Sequence, residues 1–232
     1  MGQKLYANGI ILTMEKQMYA EAVLVKDGRI AAVGRKAAVE ACAGADTERV
    51  DLEGRTMMPA FLDAHSHFMA CANGELQISL DGTKSFREIA ERVREYIAVR
   101  HVEKGKWLTG KGYDHNFLEE RSHPDRHLLD EAAPDNPLVI THQSGHMGVF
   151  NTEALLRLGI SMDGNGAVQE IPGGKIAVQD YIPTGYMEEN AFVEFQKKIP
   201  LPSPEEFMDA VEKAQKRYAS HGITLIQEGL VV

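Results

Sequence analysis

Pro59-Ala60-Phe61-Leu62-Asp63-Ala64-His65-Ser66-His67 is an apolar run that ends in two histidines one residue apart. As a β-strand, its period of two sets Asp63, His65 and His67 on one face, with the histidine Cα atoms about 6 to 7 Å apart. Two imidazoles at that spacing can grip one metal ion. The same residues also describe a strand end whose histidines merely face solvent, and a two-histidine motif alone does not separate the two readings. The flanking sequence has to decide.

The chain has 232 residues, 44% hydrophobic and 25% charged, which is the composition of an ordinary globular protein with one large domain or two smaller ones. Its formal charge of -9 and pI near 5.5, with no lysine- or arginine-rich run, argue against a nucleic-acid partner. Cys42 and Cys71 are the only cysteines and have no metal-type spacing, so neither a disulfide framework nor a thiolate zinc site is signalled. Residues 1–14 lack the pattern of a signal peptide, and no apolar run approaches a membrane span. The expectation is a cytoplasmic protein with no membrane partner.

Upstream of the two histidines, residues 4–14 and 20–34 are rich in β-formers and punctuated by Asn8-Gly9 and Asp27-Gly28. Asp-Gly between apolar runs predicts a two-residue hairpin, because that turn needs positive φ at its centre. A small antiparallel sheet follows, then a helix over 36–42, a strand over 48–52 and a turn at Glu53-Gly54. These residues carry no cluster of titratable groups and read as scaffold.

Downstream the pattern turns helical. Ser85-Phe86-Arg87-Glu88 is a capping box, and Ile89, Val93, Tyr96 and Ile97 make a buried stripe that Gly105 should close. A short strand over 107–110 leads into a polar loop, 111–126, with Tyr113, Asp114, His115 and His123, and His127 just beyond; loop histidines of this kind are read as solvated by default. Residues 137–142 form a strand by β-branched content, followed by Gln143-Ser144-Gly145-His146 and a helix capped by Asn151. Polar groups at a strand end beside a glycine turn are placed as binding groups usually are, so His146 is either a substrate contact or a structural hydrogen-bonding group. The glycine-rich segment 163–174 lacks a phosphate-loop pattern and reads as a mobile surface loop. Ser203-Pro204-Glu205-Glu206 starts a helix running to His221, with Phe207, Val211, Ala214 and Tyr218 inward, Gly222 as its end and a buried strand from Ile223. Helix, glycine, apolar strand is a βα unit, which makes the Pro59 stretch a first parallel strand and the Ile223 stretch a second.

At this point the chain resembles the N-terminal part of a metal-dependent amidohydrolase of amidohydrolase family 3, which includes D-aminoacylase-like and formamide-deformylase-like enzymes. The resemblance is carried by Lys26-Asp-Gly-Arg-Ile-Ala-Ala-Val-Gly34, Asp51-Leu-Glu-Gly-Arg55, Pro59 through Phe68, Trp107-Leu-Thr-Gly-Lys-Gly-Tyr-Asp114, Pro134-Asp-Asn-Pro137, Gly145-His146 with Asn151, Thr184-Gly185-Tyr-Met-Glu188 and Gly222-Ile-Thr224. Ala60 stands where the family usually has glycine, and His142 where many relatives have arginine.

The resemblance implies an α/β fold: the N-terminal part of a (β/α)₈ TIM-type barrel, residues 57–232, with a large insertion over about 72–200 after the first barrel strand. A small β-sandwich portion, residues 1–56, precedes it. It implies His65 and His67 as ligands of a divalent metal, zinc, as one or two ions, and Asp114, His142 and His146 as substrate contacts; by position, Glu228 at the end of the second strand is either a further metal ligand or a supporting carboxylate, and Asp63, one step deeper on the histidine face, is a supporting carboxylate or a packing group rather than the catalytic base. The substrate implied is a small amide-type molecule. A barrel of this type takes about 250 residues by itself. The barrel is therefore expected to be incomplete here, with the acid/base aspartate beyond Val232 and this fragment inactive alone. Two alternatives stay open: a non-catalytic metal-binding or regulatory relative, and a subunit that completes a barrel with another chain. The barrel-completing subunit would form a stable hetero-oligomer, and a homo-oligomer is the assembly expected of the enzyme itself.

Overall fold

The computed structural model describes residues 2–164 and 170–229, and the chain divides into two compact units, residues 1–65 with 218–227 and residues 66–217 with 228–232. The central part of the glycine-rich segment read above as a mobile loop lies outside the described residues.

The first unit is built on β1 (Gln3–Leu12), β2 (Tyr19–Lys26) and β3 (Arg29–Gly34), then α1 (Lys36–Glu40), β4 (Glu48–Asp51), β5 (Thr56–Met57) and β6 (Phe61–Ser66). Strands β3, β2, β1 and β4 form a sheet in that order, and β5 also pairs with β1. Asp27 (φ 49°) and Gly28 (φ 77°) form the tight β2–β3 turn that the Asp-Gly dipeptide predicts. Asn8-Gly9 does not turn the chain. It sits inside β1, where the pairing slips between Ala7 and Ile11, and a Cβ at Gly9 would overlap the Arg55 carbonyl. Leu5, Ala7, Ala22, Leu24 and Val39 make the core of this unit.

The second unit contains α2 (Phe68–Gly74), β7 (Ile78–Ser79), α3 (Phe86–Arg100), β8 (Leu108–Tyr113), α4 (Arg126–Ala132), β9 (Leu138–His142), β10 (Met147–Phe150) and α5 (Thr152–Arg157). It continues with β11 (Gly174–Gln179), β12 (Ile182–Glu188), α6 (Glu189–Gln196) and most of α7 (Pro204–Ser220), and the last strand of the chain is β13 (Ile223–Glu228). One six-stranded sheet runs β11-β12-β10-β9-β8-β7, with β7, β8 and β9 parallel and the rest antiparallel. Alternation along β9 decides what each face buries. Leu138 and Ile140 enter one core with Ile89, Val93 and Leu129 from α3 and α4, while Val139 enters a second with Leu155, Phe192 and Phe195 from α5 and α6.

The helix ends follow capping chemistry with two differences. The Ser85 hydroxyl accepts from the Glu88 amide, but the Glu88 carboxylate takes the Lys84 amide, and α3 ends at His101 in the left-handed region (φ 49°), before Gly105. At α7 the box is reciprocal: the Glu206 amide donates to Ser203 Oγ at 3.2 Å and the Ser203 amide to Glu206 Oε2 at 2.9 Å.

Strands β6 and β13 pair with one another. The Phe61 amide donates to the Gly222 carbonyl at one end and the Gly229 amide to the Ser66 carbonyl at the other, so the two strands run in the same direction. Among the described residues the sheets do not close into a barrel.

Candidate functional site

His65 lies on β6 in the first unit, and its backbone amide donates to Asp63 Oδ1 at 3.3 Å, so Asp63 braces the strand end on which His65 sits. In the second unit, His67 begins the turn into α2 rather than continuing the strand, with φ -117° and ψ 63°. Glu228, at the end of β13, meets it there. Glu228 Oε1 is 3.5 Å from His67 Nδ1, and Oε2 accepts the Met69 amide at 3.0 Å. The carboxylate is mostly covered, with 19% of its side chain exposed against 52% for His67.

A second cluster forms at the C-terminal ends of the parallel strands β8 and β9, the edge where α/β sheets place their ligands. The pairing of β8 with β9 slips between Lys111 and Tyr113, so that Tyr113 stands beside His142. Gly112 makes the slip: it adopts φ 104°, and a Cβ there would overlap the Asp81 carboxylate. The chain is thereby turned so that Asp114, His115 and His142 converge. His115 Nδ1 is 3.2 Å from His142 Nε2, which lies 3.4 Å from Asp114 Oδ1, and His115 Nδ1 is 3.9 Å from the same oxygen.

Each member is held from outside the cluster. The backbone amide and side-chain amide of Asn116 both donate to Asp114 Oδ1 at 2.9 Å, and these bonds keep that carboxyl below its usual range. The Ser144 amide donates to His142 Nδ1 at 3.1 Å, with the Ser144 hydroxyl at 3.0 Å from the same atom. Burial lowers the pKa of His142, with the Asp114 carboxylate pulling it back in part. His123 stacks on Tyr186 with ring centroids 4.3 Å apart and lies 4.0 Å from the His115 ring, and its Nδ1 is 3.1 Å from the Tyr113 hydroxyl. Burial, and then the neighbouring His115 and His142, push His123 down to about 4. Burial likewise raises Tyr186 to about 12, with Glu188 adding to the shift.

The structure therefore brings Asp114 and His142 together but sets His146 elsewhere, on the next turn, where its Nδ1 is 3.2 Å from Glu189 Oε2. His115 and His123, read from sequence as solvated loop groups, are instead half-buried in the cluster, while His127 is exposed. Composition could not separate these three. The available signal was position, since His115 directly follows the end of a β-rich stretch.

The fold is that of solved metal-dependent hydrolases: an uncharacterized one from Pyrococcus furiosus matches 97% of this chain with a TM-score of 0.70, at 24% identity and over 43% of its own length. The family is more specific. The amidohydrolase family model matches residues 48–231, and the chain belongs to amidohydrolase family 3. N-substituted formamide deformylase of Arthrobacter pascens is 36% identical over 143 residues, 61% of this chain and 26% of that protein. YtcJ of Bacillus subtilis strain 168, whose name places it provisionally among amidohydrolases, is 30% identical over 224 residues, 95% of this chain and 41% of its own length. The chain thus spans less than half of these relatives. Among the described residues no helix is long and apolar enough to cross a membrane.

Proposed function

We propose that this chain is the N-terminal part of a metal-dependent hydrolase that cleaves C–N bonds of small amide-type, non-peptide substrates with a metal-activated water. Membership of the amidohydrolase family supports the reaction class, and one observation carries the site: Glu228 Oε1 stands 3.5 Å from His67 Nδ1 where two parallel strands end. His65 and His67 hold the divalent ion or ions, zinc by donor type, and Glu228 joins them. Imidazole nitrogen and carboxylate oxygen are the donors of open catalytic zinc sites, so these residues fit the group.

When bound, such an ion lowers the pKa of its water toward about 7 and polarises a carbonyl. The chain's own residues supply position. Asp63 braces the strand end by accepting the His65 amide, and the Met69 amide holds Glu228 Oε2 so that Oε1 is left toward His67. Asp114, His142 and His146 contact the substrate, and the acid/base group that protonates the leaving amine belongs to a later part of the polypeptide. The formamide deformylase similarity favours an N-substituted amide as substrate. Metal analysis and an amidase assay on the complete natural polypeptide test the reading, with His65→Ala, His67→Ala as the decisive variant.

A further inference from the structure

We propose that Asp114 Oδ1, His115 Nδ1 and His142 Nε2 form a second divalent-metal site of the zinc class, held wholly by the second unit and separate from His65 and His67. The three donor atoms lie within 4.8 Å of one another, at separations of 3.2, 3.4 and 3.9 Å. Three donors about 2.0–2.2 Å from one ion at tetrahedral angles stand about 3.3–3.6 Å apart, so little movement converts the cluster into a coordination triangle. Two imidazoles and one carboxylate are also the protein donor set of open zinc sites, in which the fourth position takes water or a ligand oxygen.

The surroundings suit an ion. Two Asn116 amides fix Asp114 Oδ1 at 2.9 Å each, so the carboxylate is held in place beside the two rings. The other nitrogen of the His142 ring accepts the Ser144 amide at 3.1 Å and has the Ser144 hydroxyl at 3.0 Å, an oxygen able to take its proton once the ring ligates. Without an ion, Nδ1 accepts the Ser144 amide and Nε2 carries the proton toward Asp114; with one, the proton sits on Nδ1, the Ser144 amide turns away from that nitrogen and the Ser144 hydroxyl accepts from it. Loading therefore switches the tautomer. Tyr113 packs against His142 and His123 against His115, with Tyr186 stacked on the far side of His123. This site does not depend on the His65 and His67 assignment. It changes how Asp114 and His142 meet a ligand, through an ion's open position rather than by direct hydrogen bonds.

The test uses cobalt(II) on the complete polypeptide carrying His65→Ala and His67→Ala. One equivalent should bind with the visible absorption of a low-coordinate cobalt site, and the ¹⁵N signals of His142 should move to the Nδ1–H tautomer. Adding His115→Ala should weaken binding by about 100-fold or more, whereas adding His127→Ala should not. No cobalt bound in the double variant, or undiminished binding after His115→Ala, overturns the proposal and leaves a hydrogen-bonded cluster only. If the double variant does not fold, His115→Ala in the otherwise native sequence must lower cobalt per chain by one equivalent, and an unchanged count overturns it equally.

Discussion

The two larger sheets of this molecule bury themselves differently. The six-stranded sheet carries a core on each face, one under α3 and α4 and the other under α5 and α6. The N-terminal sheet has one small core, and Ile10, Tyr19, Ile30 and Val33 stand exposed on its strands. The titratable cluster of Asp114, His115 and His142 belongs to the sheet that is closed on both sides, where buried packing can hold polar groups at fixed separations against their own solvation. A sheet with one open face supplies strands and turns but no such confinement.

The comparison predicts a wide spread in sensitivity. Asn151 is 1% exposed and ties four segments: its Oδ1 accepts the Leu138 and Ala154 amides, and its Nδ2 donates to the Ala133 and Asn136 carbonyls. Asn151→Ala removes a helix cap and leaves buried groups without partners, an expected loss of about 3 kcal/mol in urea unfolding. A loss under about 0.5 kcal/mol would break the contrast between the sheets.

Acid gives the next largest effect. His123 is held down to about 4 by burial from an ordinary 6.5, and His142 shifts in the same direction. Below about 6.5 the unfolded chain takes up protons that the folded chain refuses until about 4. The contribution is therefore complete above that window and is lost as pH falls through it. With solvent screening of a half-exposed group, the loss should be about 1–2 kcal/mol. Unfolding midpoints measured with a chelator present, for the native chain and for His123→Phe, check it: the variant's acid slope should be shallower.

At the small end stands Ile30, 70% exposed on β3. Ile30→Thr should change the stability of this chain by less than about 0.5 kcal/mol. A loss of 2 kcal/mol or more would mean that this sheet face is covered in solution.

Much of the scaffold was legible because its signals are local. Asp27-Gly28 announces a hairpin, Ser203 with Glu206 a helix start, and Asn151 a cap, each within a few residues of its effect. Asn8-Gly9 is less legible, because the same dipeptide serves a bulge as well as a turn, and only the approach of Arg55 from another segment decides which. The hairpin of β11 and β12 and the short strand β7 have no strong pattern of their own; they exist through pairing with β10 and β8. The candidate site divides in the same way. His65 and His67 announce themselves by adjacency, and His142 and Glu228 by standing at strand ends, whereas Asp114, read inside a polar loop, is picked out only by the family resemblance. The gathering of His115 with His142, and the seat of His123 on Tyr186, depend on a bulge at Gly112 and on strands 25 or more residues apart, which no spacing rule encodes.

The central claim is that the His-x-His stretch is a metal-holding strand end of a hydrolase. Metal content per chain, measured alongside hydrolysis of N-substituted amides by the complete polypeptide, tests it most directly. His65→Ala, His67→Ala should lose at least one ion per chain and about 10³-fold or more in turnover, as removal of an ion that activates water requires. Unchanged metal content together with unchanged turnover would contradict the account.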